Sequence, residues 1–275
     1  MAAGARPLGI IAGRGDLPRR IAEACRAEGQ PYHVIALQGF ADGWERAHPH
    51  TVAALVAVGR ILTALRGAGC RDVLLAGGVD RPRLDPRALD AKALTWLPRL
   101  LPALRQGDDG LLRAVRALLE AEGFAVIAPS DVLDLRVEQG QLGRVGASEV
   151  DMADIRRGET ILAALAPVDV SQACVIAESR VLGIETVQGT DALIAFVGRT
   201  RDLAQGAQGG VLVKRAKADQ DPDMDAPTIG PHTVEAARVA GLRGIALEAQ
   251  AVQIVDRAAT VAAADAAGLF LLARP

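Results

Sequence analysis

Three cations and three carboxylates crowd one short stretch of this chain. Lys214, Arg215 and Lys217 stand where the brief apolar run Val211 to Val213 ends, and Asp221, Asp223 and Asp225 follow at alternate positions. A buried strand over the apolar run would deliver the cations at its exit, where they can hold phosphate oxygens. If the acidic segment is extended, its alternate carboxylates share one face, and Pro222 and Pro227 stiffen it by fixing φ. Cations followed at once by carboxylates suit chemistry on a phosphate ester, with Mg²⁺ bridging protein carboxylates and substrate phosphate oxygens. The competing reading is a solvated loop, since Asp and Pro are ordinary turn residues.

Two glycine turns are further candidates for anion contact. Gly13-Arg14-Gly15-Asp16 lies between the apolar run Leu8 to Ala12 and a helical pattern. Backbone amides at such a turn can approach an anion that the helix N-terminus favours. Gly77-Gly78 follows the run Asp72 to Ala76 in the same way. A dinucleotide fingerprint is incomplete here, because Pro18 occupies the place of the third glycine and Gln38 that of the acidic ribose ligand. This disfavours an NAD-dependent oxidoreductase. Thr190 and Asp191 can cap a helix through Ala195. His48 and His50 flank Pro49 without metal-ligand spacing, which reads as surface histidines in a loop. Neither a Gly-x-Ser-x-Gly elbow nor a Walker sequence occurs.

The elements that must position these residues show two grammars. From the N-terminus, apolar runs at Leu8 to Ala12, Tyr32 to Leu37, Asp72 to Ala76 and Phe124 to Ile127 alternate with helical rhythms. Asp16 can cap the first helix, Pro18 suits its first turn, and Gly29 supplies its stop. Further helices are expected around Arg60 to Arg66, Ala88 to Leu104 and Gly110 to Glu122. Strands alternating with helices predict a Rossmann-like α/β domain with a parallel sheet over residues 1–132. A polar, glycine-containing connection suggests a linker over 133–147. Residues 148–275 then read as a distinct mixed α+β domain. Ser148-x-x-Asp151 predicts a capped helix to about Ala164, and Ala173 to Glu185 a hairpin around Glu178 to Arg180. Helix and strand signals alternate again from Thr228 to Leu272.

Composition bounds the function. A formal net charge of -2 offers no global basic field, and with 3% aromatics there are few rings to stack bases, so a nucleic-acid partner is excluded as the main reading. Cys25, Cys70 and Cys174 are scattered and odd in number, fitting buried thiols in a reducing cytosol. No segment approaches the roughly 18 consecutive apolar residues of a membrane span.

Taken together, Gly9 to Pro18, Gly107-Asp108-Asp109, Glu185 to Asp191, Gly209 to Lys214, Gln220-Asp221 and Asp225 to Gly230 resemble UDP-2,3-diacylglucosamine pyrophosphatase. The similarity is to the lipid A pathway type that is not a metallophosphoesterase. It runs in order through both halves. The resemblance implies Mg²⁺-dependent hydrolysis of UDP-2,3-diacylglucosamine to UMP and lipid X, with water attacking the sugar-side phosphorus. It also implies a substrate held between two domains, its acyl chains in an apolar chamber. By the resemblance Asp225 becomes the first catalytic candidate, as Mg²⁺ ligand or as the base orienting water, and Asp221 the second, with Asp225, Asp221 and Asp191 the expected metal ligands. Lys214 would stabilise charge on the diphosphate. Gly13, Gly15, Asp16, Gly77, Gly78, Thr190, Asp191, Lys217, Gln220 and Thr228 are the expected substrate-binding residues. Asp223 occupies a variable slot of the family pattern and is assigned no chemistry, and Ala218 stands where the pattern has Pro. The same resemblance implies a cytoplasmic protein, with peripheral inner-membrane contact and a homodimer both compatible. A non-catalytic lipid-linked nucleotide-sugar binder is the alternative.

Overall fold

The computed structural model of the protein describes residues 6–79, 89–104, 108–204, 209–217 and 226–275. They form two compact units that divide between Asp134 and Leu135.

In the first unit, β1 (Leu8–Ala12), α1 (Leu17–Glu28), β2 (Tyr32–Leu37), β3 (His50–Ala53), α2 (Val58–Gly67), β4 (Asp72–Ala76), α3 (Ala91–Ala103), α4 (Asp108–Ala121) and β5 (Ala125–Val126) follow one another. The sheet order is β3-β2-β1-β4-β5, with every pair parallel. All five residues of β1 are buried, as a central strand with both faces covered requires. This is the Rossmann-like layer that the alternating pattern predicts. Pro18 sits in the first turn of α1, Ile21, Ala22 and Cys25 form its buried face, and Gly29 ends it at φ 68°.

Three local expectations are corrected in this unit. Asp16 occupies the N-cap of α1 but makes no capping bond; its exposed carboxylate pairs with Arg19 at 3.3 Å instead. His50, though exposed, opens strand β3 just after Pro49 instead of lying in a loop, and His48 is buried, its Nδ1 2.6 Å from the Tyr32 hydroxyl. Polar residues at His50 and Thr51 hide the strand from any hydropathy pattern. Helix α3 begins at Ala91, because Asp90 caps it by accepting from Ala93 N at 2.8 Å. The same carboxylate accepts from Gly59 N at 2.7 Å and so ties the start of α2 to α3. Burial pushes the thiols of Cys25 and Cys70 up to about 11, and that of Cys174 in the second unit to about 12, so all three are inert at neutral pH.

The turns after β1 and β4 are clasped together. Gly13 N donates to Ala76 O at 2.8 Å, Arg14 N to Gly78 O at 2.8 Å and Gly78 N to Arg14 O at 3.1 Å. A Cβ on Gly77 would lie 2.3 Å from Arg14 O, and one on Gly13 would lie 2.6 Å from Gly78 O. Gly77 is also at φ +88°. Gly77→Ala therefore combines a left-handed backbone with backbone overlap, and is expected to lower unfolding free energy by about 2–4 kcal/mol. Gly29, at φ +68° with open space around it, is the control: Gly29→Ala should lose only about 1 kcal/mol. Urea unfolding of both variants checks this, and equal losses would mean that the clasp contributes nothing.

The second unit contains β6 (Gly140–Gln141), α5 (Glu149–Leu165), β7 (Ala173–Ala177), β8 (Arg180–Ile184), α6 (Thr190–Thr200), β9 (Val211–Lys214), β10 (Thr228–Ile229), α7 (Pro231–Val239), β11 (Gly244–Glu248), β12 (Gln253–Ile254), α8 (Arg257–Ala267) and β13 (Phe270–Arg274). The main sheet runs β6-β13-β11-β9-β7-β8. Strands β9, β11 and β13 are parallel, and β6, β7 and β8 join antiparallel. It is the mixed architecture that the second grammar predicts. The stretch read as a linker belongs to this unit from Leu135 onward. Leu135 and Val137 are buried, Ile254 N donates to Leu135 O at 2.8 Å, and β6 extends the sheet beside β13. Its polar, glycine-containing composition concealed an edge strand.

Capping and close packing set α5 against this sheet. Ser148 N donates to Asp151 Oδ2 at 2.9 Å while Ser148 Oγ accepts from Asp151 N at 3.3 Å, the reciprocal pattern that the sequence predicts. Burial works to raise the Asp151 carboxyl, but hydrogen bonds from Ser148 and Arg243 hold it below its ordinary value. One turn on, the buried Asp154 accepts from Glu178 N at 3.0 Å and Ser179 N at 2.7 Å. Those two residues, at φ 49° and 63°, make the tight turn between β7 and β8. A Cβ on Gly158 would meet Val213 Cγ2 at 2.6 Å, so glycine lets α5 lie close against β9.

Strand alternation carries β9 to its functional end. Val211 and Val213 pack with Ile155 of α5, whereas Leu212 packs with Ile194 of α6 and Val234 of α7. Each such fully buried side chain contributes about 1.5–3 kcal/mol. By the period of two, Lys214 shares the face of Leu212.

Candidate active site

Lys214, the last residue of β9, is only 6% exposed. Its Nζ donates to Thr190 Oγ1 at 2.7 Å, and that hydroxyl donates to Glu185 Oε1 at 2.8 Å. Thr190 opens α6, whose N-cap is Gly189, so it does not cap the helix as its residue type suggests. Its hydroxyl serves Lys214 and Glu185 instead. The positive N-terminal end of α6 thus lies beside a buried ammonium, an arrangement that favours a phosphate group.

The other two cations of the strand exit are directed elsewhere. Arg215 Nη2 donates to Glu248 Oε1 at 2.7 Å, and Glu248 Oε2 accepts from Ala216 N at 2.9 Å. Lys217 Nζ lies 2.7 Å from Asp169 Oδ1. These contacts brace the chain where it leaves β9. The three charges therefore do not converge, because successive residues of an extended strand face opposite sides. Thr228 opens β10, pairs with Gln253 of β12 and precedes Gly230, the N-cap of α7.

Mg²⁺ takes oxygen ligands, usually one or two carboxylates with waters and substrate phosphates. Asp191 has that chemistry. It lies in the first turn of α6, exposed, with its carboxylate 3.9 Å from Nδ1 of the exposed His232. Among the described residues no group of three or more His, Cys, Asp or Glu could hold a metal ion. Gln220, Asp221, Asp223 and Asp225 lie outside the described residues.

Gly13, Gly15, Asp16, Gly77 and Gly78 are brought together in the first unit, at the carboxyl ends of β1 and β4. The strand order reverses between these strands, which is where open α/β sheets bind ligands. The amides of Gly13 and Gly78 already bond Ala76 O and Arg14 O, so these N–H groups serve the clasp.

Residues 7–135 match the family described as LpxI N-terminal domain, and residues 138–272 match LpxI C-terminal domain. The chain belongs to the LpxI family. Over 274 residues it is 39% identical to the UDP-2,3-diacylglucosamine pyrophosphatase LpxI of Caulobacter vibrioides, spanning 97% of each chain. Among solved structures, the UDP-glucose 4-epimerase of Thermus thermophilus complexed with NAD is 16% identical. It covers 98% of this chain and 86% of the other at a TM-score of 0.32. N5-carboxyaminoimidazole synthase from Aspergillus clavatus is 13% identical, covering 69% and 42% at a TM-score of 0.25. Neither likeness carries an argument about this LpxI-family chain. Among its described residues no helix is long and apolar enough to cross a membrane.

Sequence reasoning assigned no role to two acids that hold the candidate residues of this LpxI-family chain. Glu185 is 7% exposed and holds Thr190, and Glu248 holds Arg215. For Glu185 a signal existed: a single glutamate closes the apolar run Val181 to Ile184. For Glu248 none did, because its partner is 33 positions away in the chain.

Proposed function

We propose that this protein hydrolyses the diphosphate bond of UDP-2,3-diacylglucosamine, giving lipid X and UMP for lipid A synthesis, as a cytoplasmic enzyme that meets its lipid substrate at the inner membrane. The observation that carries the proposal is the end-to-end similarity to a relative named for that substrate. The buried Lys214 ammonium beside the start of α6 supports it, since this is the group that a diphosphate needs.

In the reaction proposed, water attacks the sugar-side phosphorus, the bond from that phosphorus to the bridging oxygen breaks, and UMP departs with the bridging oxygen. Lys214 donates to phosphoryl oxygens on which charge grows, in surroundings where little water competes. Thr190 holds the ammonium, and Asp225, or failing it Asp221, orients the attacking water and takes its proton. Asp225, Asp221 and Asp191 are the carboxylates that would hold Mg²⁺, which when bound supplies Lewis-acid polarisation of the phosphoryl oxygens. Lys217, Gln220 and Thr228 are proposed to contact the substrate, as are Gly13, Gly15, Asp16, Gly77 and Gly78 of the first unit.

Incubation with UDP-2,3-diacylglucosamine and Mg²⁺ in oxygen-18 water tests this. The expected result is UMP release with the label in lipid X, abolished by a chelator and restored by added Mg²⁺. Label in UMP would move the attack to the other phosphorus. Stoichiometric binding without any UMP would replace the enzyme with a nucleotide-sugar carrier.

A further inference from the structure

We infer that Glu185 is a positioning residue for this chemistry: acting through the Thr190 hydroxyl, it fixes the direction in which the Lys214 ammonium points. The inference rests on the role proposed for Lys214.

The direction of each hydrogen bond follows from the chemistry of the groups. Lysine is donor-only and an ionised carboxylate acceptor-only, while a hydroxyl has one proton to give. Thr190 stands between the two, so its proton must go to Glu185 Oε1 and its lone pair must face Lys214 Nζ, at 2.8 and 2.7 Å. Both the side chain and the backbone of Glu185 are fixed in turn. Glu185 Oε2 accepts from Gln172 N at 3.3 Å, and the Glu185 backbone N donates to Ala173 O at 2.8 Å. Gln172 then returns the circuit to the strand exit, because its carbonyl accepts from Arg215 N at 2.8 Å. Starting at the Lys214 side chain, the path therefore passes through Thr190, Glu185 and the Gln172 backbone and ends at the residue next to Lys214. A closed ring of this kind removes the swing that a four-carbon stem otherwise allows.

Stability alone does not account for the arrangement. A carboxylate only 7% exposed loses hydration, and an apolar residue or a direct ion pair would serve packing at least as well. Interposing a hydroxyl instead gives the ammonium a directional acceptor, and so aims it. Pre-set orientation of a charge is worth most where transition-state charge develops.

The test is a double-mutant cycle in the full-length protein, reading kcat and KM for UMP release from UDP-2,3-diacylglucosamine with Mg²⁺. Glu185→Gln keeps an acceptor for Thr190 but removes the charge and mismatches the Gln172 amide. We expect kcat to fall about 10-fold, with KM changing by less than about threefold. In a Lys214→Met background the same substitution should change kcat by less than about twofold, because a residue acting through Lys214 has nothing left to act on. The full factor in both backgrounds would make Glu185 merely structural and overturn the inference. So would a wild-type rate in folded Glu185→Gln. If Glu185→Gln does not fold, Thr190→Val and Thr190→Ser replace it: serine should recover most of the rate that valine loses, and equal losses would overturn the inference. Absence of UMP release by the wild-type protein would overturn the function itself, an outcome distinct from additivity in the cycle.

Discussion

Lys214→Met is expected to lower kcat about 10²–10³-fold, the usual loss when one donor to a developing oxyanion is removed, with a much smaller change in KM. Methionine keeps an unbranched stem of similar length, so the packing around a side chain that is 6% exposed survives. What disappears is the ammonium. Its loss also removes the ammonium that the Thr190 hydroxyl links to Glu185. Glu185 keeps two neutral donors, Thr190 and the Gln172 amide, so losing the Lys214–Thr190 link itself should lower stability by about 1–2 kcal/mol, the value of a hydrogen bond to a charged group. Steady-state kinetics together with a urea midpoint separate the two effects. Lys214→Arg should not rescue the rate, because a planar fork cannot reproduce the contact that a compact ammonium makes with the Thr190 hydroxyl. A wild-type rate in Lys214→Met would remove this side chain from the mechanism.

Asp225→Ala is expected to reduce turnover by more than about 10³-fold, comparable to losing a general base together with a metal ligand, while substrate affinity stays within a few-fold. The carboxylates of the second unit near the sheet are mostly committed. Asp151 is held by Ser148 and Arg243, Asp154 by the amides of Glu178 and Ser179, and Glu159 by Arg274. Glu185 and Glu248 are bound to Thr190 and Arg215. Asp191 remains as a carboxylate with only a long contact to His232. It lies in the first turn of α6, suited to a metal or a sugar hydroxyl. The family resemblance of Asp225-Ala226-Pro227-Thr228-Ile229-Gly230 is what gives Asp225 its proposed role of orienting the attacking water. UMP release and a calorimetric titration of the inactive variant with substrate provide the check. Retained turnover would move the role to Asp221.

Much of the architecture was legible because it rests on local signals. The run Leu8 to Ala12, the Gly29 stop and the reciprocal Ser148–Asp151 cap each state their structure within a few residues. Illegible elements had the opposite character. Strand β3 carries two polar residues in four, and β6 has two residues paired with β13, more than 100 positions away. Asp16 and Thr190 have capping side chains, yet their oxygens go to Arg19 and Glu185. Capping propensity competes with any nearby partner, and only the fold decides which wins.

By itself the sequence determined the two grammars, the mixed charge of the segment after β9, and the motifs that place the chain in its family. Its period-two rhythm also put Leu212 and Lys214 on one side of the strand. Tertiary structure alone decided what meets Lys214 there. The hairpin of β7 and β8 carries Glu185 to the mouth of the sheet, α6 starts one residue early enough to present Thr190, and Glu248 draws Arg215 away. Lys214 meets Thr190 across 24 positions of chain, and Arg215 meets Glu248 across 33. No local pattern encodes them, because hydrogen-bond partners are chosen by which side chains the packed sheet leaves within reach.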